Sequence, residues 1–186
     1  MMNINEIKEY LQKSLSQKRY VHSLGVAEEA QKLAVRYGGN SDKAYLAGLV
    51  HDCAKEIPYD TAVDLMQNKY NEEVDFVCKR MPRLLHGPLG AYMAKSEFGI
   101  EDEEIFDAIK YHTTGKADMS LFTKIIYMAD FVEPNRTYKD AKMLREMTYE
   151  NIDAAIIYGI DFTIHKLVED GELIHPDTVL CRNSLV

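Results

Sequence analysis

Apolar residues recur at three- and four-residue steps along nearly the whole chain, and no pair of alternating runs is joined by a hairpin dipeptide. A half-buried sheet needs such alternation, so the pattern predicts an all-α fold. The 186 residues suit one compact domain, 1–186, and no internal repeat, low-complexity tract or linker divides them. Hydrophobic residues make up 46% and charged residues 28%, a balance that excludes a disordered or fibrous chain.

Ile7, Leu11 and Leu15 predict a first helix over about Asn5 to Leu15. A second follows over about Gln17 to Tyr37, striped by Leu24, Ala27, Ala30, Leu33 and Ala34. Gly38-Gly39 stops it, because glycine accepts the left-handed cap. Ser41 is placed to cap a third helix through Ala44, Ala47, Gly48, His51 and Ala54, and Pro58 forces its end. Asp60 is placed to cap a fourth, through Met66 and Tyr70, while Val74, Phe76 and Val77 suggest a short helix that Pro82 cuts into a turn. Further helices are predicted over His86 to Phe98, stopped by Gly99, over Ile105 to His112 after the acidic run Glu101 to Glu104, and over Ser120 to Val132. The last is apolar almost all round, which marks burial on most sides. Two more helices are predicted over about Asp140 to Met147 and Asn151 to Asp170. A short C-terminal tail follows, either extended near Thr178 to Cys181 or an ordered loop.

Lys and Arg number 22 against 30 Asp and Glu, a formal net charge of -8. Such a chain repels nucleic acid and anionic membrane in bulk, so neither is expected as a partner, and an anionic ligand must be attracted locally. Cys53, Cys78 and Cys181 are odd in number, far apart and without a CxxC pair, which points to a reducing cytoplasm rather than a disulfide framework. No stretch approaches about 18 uncharged apolar residues and the N-terminal residues carry charge every few positions, so neither a membrane span nor a signal peptide is expected.

Four of the six histidines, His22, His51, His86 and His112, fall at helix starts or on inward faces. His51-Asp52 follows the small inward residues Ala44, Ala47 and Gly48, which leave room around the imidazole. Imidazole nitrogen and carboxylate oxygen are both ligands for Fe²⁺, Mn²⁺ or Zn²⁺. Asp130 lies inside the most apolar helix, where an isolated ionised carboxylate is costly unless paired or bound to a metal. Each residue alone also fits a plainer role: an inward histidine bonded to a carbonyl, or Asp130 in a buried ion pair with Arg136. The joint pattern of a histidine on an early helix, His-Asp on the next and an aspartate late in a buried one favours a metal site.

That order, His22, His51-Asp52, Asp130, resembles the signature of the HD-domain metal-dependent phosphohydrolases. The surrounding words RYVHSLGVAEEA, LAGLVHDCAKEIP, LLHGPLGAYMA, AIKYHTTG, YMADFVEPNR and HPDTV are similar to those of the YqeK family of bacterial HD proteins. The resemblance implies an HD-domain helical bundle, with the metal-site core over about 19–135 and C-terminal helices and tail over about 136–186. It implies symmetric cleavage of diadenosine tetraphosphate into two ADP by metal-activated water.

On the same resemblance, His22, His51, Asp52 and Asp130 are the metal ligands, and the divalent metal is iron, with manganese or zinc as alternatives. His51, Asp52, His86, His112 and Lys55 are the implied catalytic residues. The implied substrate contacts add Glu56, Ile57, Pro58, Thr113, Arg136, Ile174, His175, Pro176 and Asp177, with His22 and Asp130 also at the nucleotide. A homodimer is implied as well. The chemistry agrees: a divalent ion lowers the pKa of bound water toward ~7 and clamps a phosphoryl oxygen, and basic side chains neutralise the remaining charge. Two alternatives stay open. One is another HD phosphohydrolase acting on a nucleoside mono- or triphosphate or a cyclic nucleotide; the other is a nucleotide- or metal-binding module without turnover.

Overall fold

The structure is a computed structural model describing all 186 residues, Met1 to Val186. It is helical throughout, without strands. Helix α1 spans Ile4–Ser14, opened by a reciprocal cap in which Asn3 accepts from Glu6 N and Glu6 accepts from Asn3 N. Helix α2 spans Gln17–Tyr37 and closes on Gly38, whose φ of 75° is left-handed. Helix α3 spans Ser41–Val50, and its cap is Asn40 rather than Ser41: the Asn40 side chain accepts from Lys43 N at 3.0 Å.

Helix α4, Tyr59–Asp64, starts after Pro58 and passes into a π-helical stretch over Leu65–Lys69. Helix α5, Phe76–Arg80, and a 3₁₀ turn over Pro82–Leu84 lead to α6, His86–Phe98. Helix α7 spans Glu103–Tyr111, α8 Leu121–Val132, α9 Ala141–Glu150, α10 Ile152–Glu169 and α11 Pro176–Asn183.

Three further expectations are corrected here. Asp60 does not cap the fourth helix: Pro58 holds the cap position and no side chain bonds there. The C-terminal tail is neither extended nor a loop over Thr178 to Cys181; those residues lie in α11, where His175 accepts from Asp177 N and Pro176 supplies a first helical position that needs no N–H. The third helix does not run on to Ala54. It stops at Val50, and residues 51–57 tighten into turns bonded three residues apart, Cys53 N to Val50 O, Lys55 N to Asp52 O and Ile57 N to Ala54 O.

Helix α8 packs against α2, α3, α7, α9 and α10, which is why its sequence is apolar on nearly every side. One contiguous core runs from Ile7 to Cys181 and includes residues of α9, α10 and α11. Helices α2 and α3 approach most closely at Gly48: a Cβ built there would lie 2.8 Å from Ala27 Cα and 2.9 Å from the Val26 carbonyl. Only glycine permits that distance, and it draws His22 on α2 towards His51 just beyond α3.

Candidate metal centre

The four helix ends and one helix face meet at a single point. His22 comes from α2, His51 and Asp52 from the turn closing α3, His112 from the end of α7, Asp130 from the last turn of α8, and His86 from the first position of α6. His22, His51, Asp52, His86 and His112 are buried. Three of these helices, α3, α7 and α8, aim their C-termini at the cluster, where the unpaired carbonyl ends favour positive charge.

The imidazoles are held by their far nitrogens. Nδ1–H of His51 donates to the Gly48 carbonyl at 2.7 Å, that of His112 to Ile109 at 2.7 Å, and that of His86 to Arg83 at 2.6 Å. A carbonyl can only accept, so each ring presents an Nε2 lone pair to the centre. His22 is oriented by a carboxylate instead, with Nδ1 3.2 Å from Oε1 of the buried Glu133.

Those Nε2 atoms surround two aspartates. Asp130 Oδ1 lies 3.0 Å from His22 Nε2 and 3.9 Å from His51 Nε2. Asp52 Oδ2 lies 3.5 Å from His51 Nε2 and 3.7 Å from His22 Nε2, and its Oδ1 lies 3.1 Å from His86 Nε2. His22, His51 and Asp130 form one compact donor set, and His51, Asp52 and His112 another. His22 Nε2, His51 Nε2 and Asp52 Oδ1 are buried without a hydrogen-bond partner; although His22 Nε2 is near Asp130, it lies off the line of a bond. Buried polar atoms are nearly always paired, so the orphaned Nε2 atoms of His22 and His51, both facing Asp130, fit a divalent cation, while the orphaned Asp52 Oδ1 faces His86 and His112.

Positive side chains ring this centre. Arg19 donates to Asp52 Oδ2 at 2.6 Å, the Arg136 guanidinium donates to both the carbonyl and the carboxylate of Asp130, and Lys55 Nζ stands 3.1 Å from His86 Nε2. Burial opposes ionisation of Asp52, yet His51, His112 and His86 hold its carboxyl well below the usual carboxylate range. Asp130 is likewise held down, against burial, by His22, His51 and Arg136. Burial pushes the His86 imidazolium down to about 4 and lowers the Lys55 ammonium. The pairing of Asp130 with Arg136 and its place among the imidazoles thus coexist; the two roles weighed for it are not exclusive.

The other sequence candidates lie outward. The Thr113 hydroxyl is 3.1 Å from His112 Nε2. Ile57 lines a small cavity with Lys55 and His86, and Pro58 begins α4. The Glu56 carboxylate is committed elsewhere, to the backbone and hydroxyl of Ser16 at 2.5 and 2.6 Å, and does not reach the cluster. His175 and Asp177 line a separate cavity that meets the centre at Thr113; Ile174 and Pro176 flank them at the start of α11 without touching the ligands. Cys53 points its thiol at the Gly90 carbonyl, and burial pushes it up to about 12, so it is no thiolate ligand.

Arg19 is a residue of the centre that sequence reasoning missed. Its signal was present: it precedes His22 by three positions, the spacing that puts two residues on one helix face.

A helical bundle that brings His22, His51-Asp52 and Asp130 together from α2, the end of α3 and α8 has the arrangement of an HD-domain protein. The HD domain family matches residues 19–135. The chain is 36% identical over 185 residues to the symmetrical bis(5'-nucleosyl)-tetraphosphatase of Bacillus subtilis, covering 100% of this chain and 98% of that one. Its identity to the protein of the same name from Halalkalibacterium halodurans is 37%, again over 100% and 98%. A crystal structure from Clostridium acetobutylicum, described as a predicted HD superfamily hydrolase involved in NAD metabolism, superimposes with a TM-score of 0.96 at 40% identity, covering 100% of this chain and 97% of that one. The chain belongs to the HD-domain family, and within it to the YqeK-like group of these symmetrical tetraphosphatases. No helix is long and apolar enough to cross a membrane.

Proposed function

We propose that the protein hydrolyses dinucleoside tetraphosphates symmetrically, releasing two nucleoside diphosphates, with iron as its resident metal and the cytoplasm as its compartment. The observation that carries this is the end-to-end relation to proteins named for that activity, 100% of this chain against 98% of theirs. Residues His22, His51, Asp52 and Asp130 would hold the ion, and their nitrogen and oxygen donors, with no thiolate among them, fit a divalent ion such as Fe²⁺. When bound, a divalent ion supplies Lewis acidity towards a phosphoryl oxygen and a nucleophilic water at neutral pH.

The chain's own groups do the rest. Glu133 fixes the His22 ring, and the Gly48, Ile109 and Arg83 carbonyls fix the other three, so the donors are oriented before substrate arrives. Arg19, Lys55 and Arg136 neutralise the charge of a tetraphosphate that the net charge of -8 would otherwise repel. His86 and His112 offer Nε2 atoms, with the Thr113 hydroxyl beside them, as the hydrogen-bonding wall for phosphoryl oxygens. The buried, free cysteines support a reducing compartment.

Purified protein loaded with Fe²⁺ or Mn²⁺ should convert diadenosine tetraphosphate to ADP alone. Release of AMP and ATP would overturn the symmetric assignment, and turnover confined to a nucleoside mono- or triphosphate in a substrate panel would overturn the substrate class.

A further inference from the structure

We infer that the cavity between α8, α9 and α10 receives the base of one nucleoside of the substrate, so that a dinucleoside polyphosphate straddles the metal centre. The assignment rests on the tetraphosphatase reading above and adds a site to it. The cavity has a volume of about 380 Å³, within the range of ligand pockets. Its wall combines His112, Asp130 and Arg136 of the centre with the aromatic Phe131, Tyr158 and Phe162. Charged groups and aromatic surface in one cavity suit a nucleotide.

Gly159 shows what the space is for. At Gly48 and Gly87 a Cβ would collide with backbone at 2.8 Å, so packing demands glycine there. At Gly159 the nearest atom to a Cβ is Phe131 Cε1 at 3.5 Å, an ordinary contact. Packing does not require glycine in this buried turn of α10, although glycine in a helix costs roughly 0.5–1 kcal/mol against alanine. What its missing side chain does is leave the Phe131 ring uncovered. That ring is backed by Tyr127, stacked at 5.3 Å between centroids with 30° between planes, which fixes it as a platform. Tyr158 and Phe162 stand four residues apart on one face of α10, and Phe162, 50% exposed, lies in the wall of this cavity.

The location agrees. Residues 19–135 are the part matched by the HD family, and the outer wall of this cavity comes from α9 and α10 beyond it. The metal core could serve many phosphate esters, whereas the added helices supply a surface for a flat aromatic group. A second cavity, about 250 Å³, has His175 and Asp177 in its wall. Thr113 lines both, and its hydroxyl lies 3.1 Å from His112 Nε2, so two compartments adjoin the centre. A substrate with a base at each end of its phosphates matches that plan.

The test uses the full chain loaded with Mn²⁺, the variants Phe162→Ala and Gly159→Leu, and two ligands: diadenosine tetraphosphate as substrate and inorganic tripolyphosphate as a baseless competitor. Losing a stacking surface or filling the space should raise KM for diadenosine tetraphosphate roughly tenfold, on the scale of base–aromatic stacking. The inhibition constant of tripolyphosphate should stay within about twofold, because uniform loss at the base leaves the phosphate contacts alone. Phe162 is half exposed, so its alanine variant separates loss of binding from loss of folding, checked by thermal melting. An unchanged KM, or a tripolyphosphate constant that moves in parallel with KM, overturns the base site. Wild-type protein that fails to hydrolyse diadenosine tetraphosphate overturns the functional reading itself, a distinct result.

Discussion

His86 Nε2 and His112 Nε2 face one another at 3.0 Å, although each ring has committed its Nδ1–H to a carbonyl three residues earlier. Two lone pairs therefore point at each other, with Asp52 Oδ1 3.1 Å from the first and 3.5 Å from the second. Three acceptors at one spot are held together only by positive charge. Lys55 Nζ supplies some of it, and a cation held by the neighbouring His22, His51 and Asp130 donors would supply more.

Metal binding should accordingly stabilise the fold. At roughly 100 times the dissociation constant, Mn²⁺ adds about 2.7 kcal/mol, which for a chain of this size raises Tm by about 5–10 °C. Calorimetry with Mn²⁺ and with chelator measures the difference. His51→Ala should abolish the shift, and a shift that survives it would place the ion elsewhere.

Gly48→Ala should separate the two helices that carry His22 and His51. The added methyl meets Ala27 Cα at 2.8 Å, backbone against backbone, so no rotamer change relieves it. We expect a loss of about 1–3 kcal/mol in urea denaturation, together with weakened metal affinity. Wild-type stability would show that α2 and α3 can part without cost.

Arg19→Gln should lower kcat/KM roughly 10–100-fold, the scale of a lost charged hydrogen bond. Metal content should stay at the wild-type ratio, because removing a cation from Asp52 leaves its carboxylate no weaker a donor to a metal. Elemental analysis alongside initial rates distinguishes this from loss of the ion.

Glu133 acts through His22. Its replacement by alanine should weaken metal binding roughly 10–100-fold, as other carboxylate–histidine partnerships do, whereas Glu133→Gln keeps an oxygen for Nδ1–H and should lose less. Titration calorimetry with Mn²⁺ ranks the two. Equal losses would mean that charge rather than ring orientation matters.

Asn40→Ala should cost about 1 kcal/mol by removing the cap of α3, while Ser41→Ala costs little, since the Ser41 hydroxyl caps nothing. Chemical denaturation of the pair decides which residue starts the helix.

The span of α2, the stop at Gly38, the burial of α8 and the six inward or terminal residues of the centre were legible because each follows from local pattern: apolar period, glycine tolerance and the cost of a carboxylate among apolar neighbours. The tail was not. Thr178 to Cys181 is too short a run to declare a period, and α11 forms because His175 caps it and Cys181 packs into the core. The end of α3 was misjudged for a related reason, since Pro58 is a visible stop while the tightening at 51–57 depends on what surrounds it.

Local chemistry in the chain thus determined which residues could be ligands and which segments would be helices, because propensity and period act over a few neighbouring positions. Tertiary structure alone decided that His51 and Asp52 face one centre. Adjacent residues of a continuous helix point about 100° apart; here the helix ends between core contacts, and both side chains turn inward. It also decided that Arg19 meets Asp52 and that Glu133 meets His22, pairings across 33 and 111 residues that no local rule encodes. Long-range packing sets those distances, and with them the charge and orientation of every donor at the site.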